Sequence, residues 1–257
     1  MLKIIGIIPA RYGSTRFPGK PLVDIFGKPM IVHTYLNSKK SKLLSKVVVA
    51  TDDPKIESVI KNIDGEAILT PTDLKSGSDR VAYCLDELQC DIVVNIQGDE
   101  PFIDSNAIDA AIKPLIDDSS LNVSTLIKKI DDYNSIHNCN IVKVVKDIND
   151  YALYFSRSPI PFIRDEKECL DYIKKDLFYK HIGLYVYRSD FLKTFVQMSE
   201  SQLENCEKLE QLRILENGYR IKCVVTDYET ISVDTMEDLN RIKNFYNKEN
   251  IEKEKKS

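Results

Sequence analysis

Apolar positions fall into short β-branched runs separated by stretches with helical spacing. KIIGII opens the chain as a buried strand, and PMIVHTYLNSKK behind it carries helical apolar spacing. KVVVAT (46–51) predicts a second strand, and DDPKIESVIKNI a helix with Pro54 early in its first turn. EAILT (66–70) predicts a third strand. SDRVAYCLDEL predicts a helix capped by Ser78, and DIVVNIQ (91–97) a fourth, strongly buried strand. DSNAIDAAIKPLI then predicts a helix that Pro114 should kink or shorten.

This alternation predicts an α/β fold: a Rossmann-like, mixed but mostly parallel sheet with helices on both faces. After residue 120 the pattern changes. NVSTLIKKI, IVKVVKD, YALYFS and HIGLYVYR are strand-like with fewer helices between them, which predicts a smaller β-rich lobe. QLENCEKLEQLRILENG (202–218) predicts one helix ending at Gly218, RIKCVVTD a strand, and TMEDLNRIKNFYNKEN a closing helix. We expect a single domain over 1–250, with a regularly alternating half to residue 120, a β-richer half after it, and a charged tail at 251–257.

Composition narrows the function. The net charge of −4 argues against a general nucleic-acid surface, so any anion site must be local. No apolar run is long enough for a membrane span. MLKIIGIIPARYG reads as a first strand rather than an export signal, because Arg follows its short apolar run. The six cysteines form no CxxC pair or zinc spacing and are expected to be free thiols in a cytoplasmic protein. His137 and Cys139 lie close together, but they lack the further ligands that a zinc site needs.

The candidate chemistry starts in IIPARYGSTRFPGKPL. Arg11, Arg16 and Lys20 share the loop after the first strand with Gly13 and Gly19. In open α/β sheets, ligands bind beyond the carboxyl ends of the strands. Arg forks and a Lys point charge suit phosphate oxygens, and the glycines allow close backbone approach. This is neither a Walker A loop nor a dinucleotide fingerprint. Five residues separate Gly13 from Gly19, Pro21 follows Lys20, and no GxGxxG occurs.

IIPARYGSTRFPGKPLVDIFGKPMIVH resembles the opening of the 3-deoxy-manno-octulosonate (Kdo) cytidylyltransferases, or CMP-Kdo synthetases. VVATDD, SGSDR, VVNIQGDEP, NIVKVV, YALYFSRSPIP, KHIGLYVYR, LEQLRILENG and VDTMEDL follow in that family's order, over nearly the whole chain. The resemblance implies the nucleotide-diphospho-sugar transferase type of fold. It also implies transfer of CMP from CTP to Kdo, giving CMP-Kdo and diphosphate for lipopolysaccharide synthesis. An 8-amino analogue or another 2-keto sugar acid is the alternative acceptor. A homodimer in the cytoplasm, with Mg²⁺ as cofactor, is implied as well. Two departures from the pattern, Met236 for a common Pro and Ser78-Asp79 for Thr-Glu, leave this reading unchanged.

Asp99 follows the fourth strand after Gly98, and Asp234 precedes a helix that Thr235 and Asp238 can cap. The resemblance makes these two the magnesium ligands, and with Lys20 the catalytic set. It also implies that Arg11, Arg16, Lys20, Gly77, Ser78 and Arg80 bind the nucleotide. Gln97, Arg157, His181, Tyr185, Glu210 and Gln211 would bind the sugar. His181 and Tyr185, four apart, fall on one face of a strand. Glu100 reads as a supporting group. Asp52 and Asp53 read as helix caps before Pro54.

Overall fold

The computed structural model describes residues 2–13, 17–164 and 177–242. Arg16 and the 251–257 tail fall outside these ranges, as does the end of the expected closing helix; residues 236–242 are helical.

Four strands pair in parallel: β1 (Ile4–Ala10), β4 (Lys46–Thr51), β5 (Glu66–Leu69) and β6 (Ile92–Asn95). The long β10 (Tyr179–Arg188) lies antiparallel to β6 on one side and to β7 (Val123–Lys129) on the other. β11 (Lys222–Val225) closes that edge parallel to β7, giving the order β11-β7-β10-β6-β1-β4-β5. The β-rich lobe is an antiparallel branch of this sheet. In it, β8 (Lys143–Lys146) pairs with β10, and β9 (Ala152–Ser156) pairs with β8. A small hairpin, β2 (Asp24–Ile25) and β3 (Lys28–Pro29), stands apart from it.

Strand alternation divides the core. Ile5, Ile7, Val48, Val93, Tyr185 and Tyr187 pack on one face with α3 (Gly77–Leu88) and α6 (Ser189–Gln197). Ile4, Ile8, Val49, Val94, Leu184 and Val186 pack on the other with α1 (Met30–Ser38), α2 (Pro54–Lys61) and α4 (Ser105–Asp117). One face of β10 therefore reads 181, 185, 187, and a register shift between Ile182 and Tyr185 leaves His181 and Tyr185 on the same side, ring centres 5.2 Å apart.

Three local expectations change. The cap of α3 is Ser76, not Ser78: the Ser76 hydroxyl accepts from Asp79 N–H, and the Asp79 carboxylate accepts from Ser76 N–H. α4 runs through Pro114 to Asp117, because Ile108, Ala111, Ile112 and Leu115 are all held in the core. The single helix expected over 202–218 is two, α7 (Gln202–Glu207) and α8 (Leu212–Glu216), with Lys208 in the left-handed region at φ 53°. The break lets Glu207 reach β9 while Glu210 reaches α3, two directions that one straight helix would not serve. A shorter helix, α5 (Tyr133–His137), lies between β7 and β8.

Candidate active site

The parallel strands end at a cleft of about 290 Å³, lined by Pro9, Ala10, Arg11, Lys20, Ser76, Gly77, Arg80, Gln97, Gly98, Asp99 and Asp234, among others. This is where an open α/β sheet binds ligand. The first loop enters it with a defined shape. Gly19 sits at φ +70°, where a side chain is strained, and starts a 3-10 turn that delivers Lys20. Among the described residues nothing lies within 4 Å of where a Gly13 Cβ would project.

Lys20 Nζ donates to Asp99 Oδ2 at 2.6 Å and to Asp234 Oδ1 at 2.9 Å. Asp99 leaves the end of β6. Asp234 is presented by the Thr235–Asp238 capping box, in which Asp238 accepts from the Thr235 N–H and the Thr235 hydroxyl accepts from Asp238 N–H. Val233 N–H donates to the Asp99 carbonyl at 3.0 Å, which ties the two segments together. Two carboxylates thus converge on one cation. Among the described residues no group of three or more His, Cys, Asp or Glu side chains could hold a metal. A divalent ion at this pair would complete its shell with phosphate and water oxygens, the ligand set magnesium favours in nucleotide enzymes. The donor set fits.

Next to Asp99, Glu100 is buried, and Tyr228 donates to it at 3.4 Å. Burial, reinforced by the charge of Asp99, pushes its carboxyl up to about 8. It supports the site from behind.

Arg80 is buried and lines the cleft, and three of its five donors are used within the protein. They reach Thr70 Oγ1, the Pro71 carbonyl and Asp52 Oδ2. Gly77 is exposed at the cleft, whereas Ser78 is buried behind it. Asp53 caps α2 as expected, accepting from Lys55 N–H at 2.7 Å. Asp52 does not cap; it accepts from Tyr12 N–H and pairs with Arg80.

Of the sugar set, Gln97 lines the cleft and donates to the Gly183 carbonyl at 3.0 Å. His181 Nε2 meets Thr125 Oγ1 at 3.0 Å, and burial pushes its imidazolium down to about 3, so the ring is neutral. Tyr185 pairs with Asn95 across β10 and β6. Among the described residues, the Tyr185 hydroxyl, Asn95 Oδ1 and Gln211 Nε2 are buried without a hydrogen-bond partner. Natural proteins seldom leave such groups unpaired, so all three mark places for ligand or solvent atoms.

Glu210 accepts from the hydroxyls of Ser76 at 2.9 Å and Ser78 at 2.8 Å, and burial raises its carboxyl. This links the expected nucleotide and sugar sets through the start of α3. Arg157 lies beside the branch rather than on the cleft lining. Its Nε donates to the Glu207 carbonyl at 2.8 Å and its Nη1 to the Cys139 carbonyl at 3.1 Å. Asn95 and Asp52 were not among the site residues read from sequence. Asn95 ends an otherwise aliphatic strand run, IVVN, and that change of character was the available signal.

Comparison with known proteins identifies the family and the fold. Residues 5–246 match the family model described as cytidylyltransferase. The 3-deoxy-manno-octulosonate cytidylyltransferase of Geotalea uraniireducens is 53% identical over 245 residues, covering 94% of this chain and 98% of the relative. That of Chloroherpeton thalassium is 46% identical, covering 94% and 97%. A solved CMP:2-keto-3-deoxy-manno-octonic acid synthetase in complex with CTP superposes with a TM-score of 0.89 at 40% identity, covering 96% of this chain and 99% of that one. A 4-diphosphocytidyl-2C-methyl-D-erythritol synthase from Anaerococcus prevotii, at 15% identity and a TM-score of 0.63, shares the fold.

Proposed function

The chain belongs to the cytidylyltransferase family, and from that premise we propose that it transfers CMP from CTP to Kdo, giving CMP-Kdo and diphosphate. The observation that carries the reading is the Lys20 ammonium held between Asp99 and Asp234 in a cleft that Arg11 also lines.

The anomeric hydroxyl of Kdo attacks the α-phosphorus of CTP. A new O–P bond forms, the bond to the bridging α–β oxygen breaks, and diphosphate departs in line, while the hydroxyl proton passes to solvent. Arg11 and Lys20, with Arg16 of the same loop, hold the triphosphate and offset the charge that grows on the leaving group. Magnesium held by Asp99 and Asp234 would supply positive charge to the phosphates and make the anomeric hydroxyl more acidic. Gly77, Ser78 and Arg80 shape the nucleotide side. Gln97, His181, Tyr185, Glu210 and Gln211 form the acceptor side, with the unpaired Tyr185 hydroxyl and Gln211 amide meeting sugar hydroxyls. Arg157 serves the sugar carboxylate. No side chain acts as a covalent nucleophile. Residues 1–120 carry most of the CTP contacts and 121–250 the acceptor contacts, with Asp234 crossing between them.

We assign the working form as a homodimer. Its support is the edge strand β9 with Leu153 62% exposed, and Phe162 beyond it 83% exposed, on the half of the chain that handles the sugar. No described helix is long and apolar enough to cross a membrane. The free thiols of Cys84, Cys90, Cys139, Cys206 and Cys223 suit the reducing cytoplasm, where CTP is available.

The test is diphosphate release from CTP with Mg²⁺, comparing Kdo, 8-amino-Kdo and a sialic acid. Fastest release with Kdo is expected. Preference for the amino sugar keeps the mechanism and moves the substrate. Silence with all three, from protein that still binds CTP, overturns the reaction.

A further inference from the structure

The Asp52 carboxylate stands behind the cleft with one oxygen on each of two walls. Its Oδ1 accepts from the Tyr12 N–H at 3.1 Å, and its Oδ2 accepts from Arg80 Nη2 at 3.2 Å. Both ends lead to groups that line the cleft. Tyr12 follows Arg11 directly, and its carbonyl accepts from the Gly19 N–H at 3.2 Å. Gly19, in its left-handed conformation, starts the turn that delivers Lys20. Arg80, 3% exposed, also donates to Thr70 and to the Pro71 carbonyl, while the Thr70 hydroxyl donates to the Thr51 carbonyl at 3.1 Å. The side chain of Asp52 is 13% exposed and is not itself on the cleft lining.

We infer that Asp52 is a positioning residue for the nucleotide: it sets the spacing between the cationic loop and the start of α3 so that Arg11, Lys20 and Arg80 address one ligand together. This rests on the proposed use of CTP. A capping role does not account for the contacts, since Asp53 already caps α2. A purely stabilising ion pair does not account for the second oxygen, which holds a loop backbone rather than a charge. The placement also has an electrostatic consequence. With Asp52 as its counter-charge, the Arg80 guanidinium stays charged while buried at the cleft.

The experiment measures the CTP dissociation constant without acceptor, and the KM for Kdo at saturating CTP, for the wild type, Asp52→Ala and Asp52→Asn. Misplaced binding groups cost up to about 100-fold, so Asp52→Ala should weaken CTP binding by roughly 10- to 100-fold. The KM for Kdo should stay within about two-fold. Asp52→Asn should fall between, since its amide oxygen can still accept from Tyr12 while its NH₂ faces the Arg80 donors. If Asp52→Ala does not fold, the isosteric Asp52→Asn carries the test alone. Folded variants that bind CTP like the wild type, or that weaken CTP and Kdo equally, overturn the inference and leave the proposed reaction standing. A wild type that does not bind CTP overturns both.

Discussion

Lys20 and Asp234 lie 214 positions apart in the chain and meet at 2.9 Å. The same ammonium holds Asp99 at 2.6 Å, so one lysine joins the first loop, the end of a central strand and the cap of a late helix. All three groups keep some exposure, at 12, 29 and 41% of their side chains for Lys20, Asp99 and Asp234. A cluster this open to water contributes little to folding. In the proposed reaction its value lies in keeping opposite charges ready beside each other for a phosphate and a divalent ion.

Asp99→Ala should therefore lower turnover by at least about 100-fold, the scale of losing a principal electrostatic group in an active site. The melting temperature should hardly move. Steady-state kinetics and a thermal melt on the same preparation check this, and near-normal turnover would remove Asp99 from the metal and catalytic assignment.

Gly98→Ala tests how tightly the cleft floor is built. A Cβ there would lie 2.8 Å from the Pro9 carbonyl, a backbone atom that cannot swing aside. We expect a loss of about 1–3 kcal/mol in urea unfolding, the usual cost of forced overpacking, together with weaker CTP binding. Unchanged stability would mean that β1 and the loop after β6 can part easily.

Lys143 is fully buried, and its ammonium donates to the carbonyls of Asn138, Ile141 and Arg157 at 2.9, 2.6 and 2.6 Å. Lys143→Met leaves those acceptors without the charge they share. It should cost at least about 2 kcal/mol, given the value of charge-assisted hydrogen bonds. Because Arg157 and the 138–141 segment are both held by this lysine, the KM for Kdo should rise more than that for CTP. Denaturant melts and the two KM values decide it.

His181 gives a pH dependence. Its folded-state value lies near 3, below the ordinary 6.5, because burial disfavours the imidazolium. The unfolded chain therefore takes up a proton below about pH 6.5 that the folded protein refuses until near pH 3. Stability from this group is complete above pH 6.5 and falls as pH drops, by about 1.4 kcal/mol per pH unit. Between pH 6.5 and 5, the wild type should lose about 2 kcal/mol more than His181→Gln, read from urea midpoints. Parallel curves would show that His181 is solvated in the folded state.

The parallel core was legible in the sequence because each strand of β1, β4 and β6 is buried on both faces. Such strands are continuous β-branched runs with few other readings. The Asp53 cap and the Thr235–Asp238 box were legible for a similar reason: a cap is local, and its partners lie within four residues. The α3 cap was placed two residues late because SGSD offers two serines, and only the path of the preceding loop selects Ser76.

Three features depend on contacts between distant segments. The helical character of 202–218 is real on each side of Lys208, but Glu207 is called to Ser156 and the Arg157 N–H, while Glu210 is called to Ser76 and Ser78. Propensity within the window carries no trace of either demand. Asp52 looked like a second cap because its neighbours in sequence are a helix start; its partners Tyr12 and Arg80 lie 40 and 28 residues away. Arg157 enters the sugar set through the resemblance alone, and the fold gives two of its donors to backbone carbonyls.

By itself, then, the sequence determined the alternation of strands and helices up to residue 120, the cationic character of the loop after the first strand and the acid at the end of β6. These follow from side-chain periodicity and from chemistry carried within a few residues. Only the tertiary structure decided which oxygen faces which nitrogen. Such pairings are set when segments far apart in the chain pack together, and the cost of leaving a buried polar group unpaired selects among them.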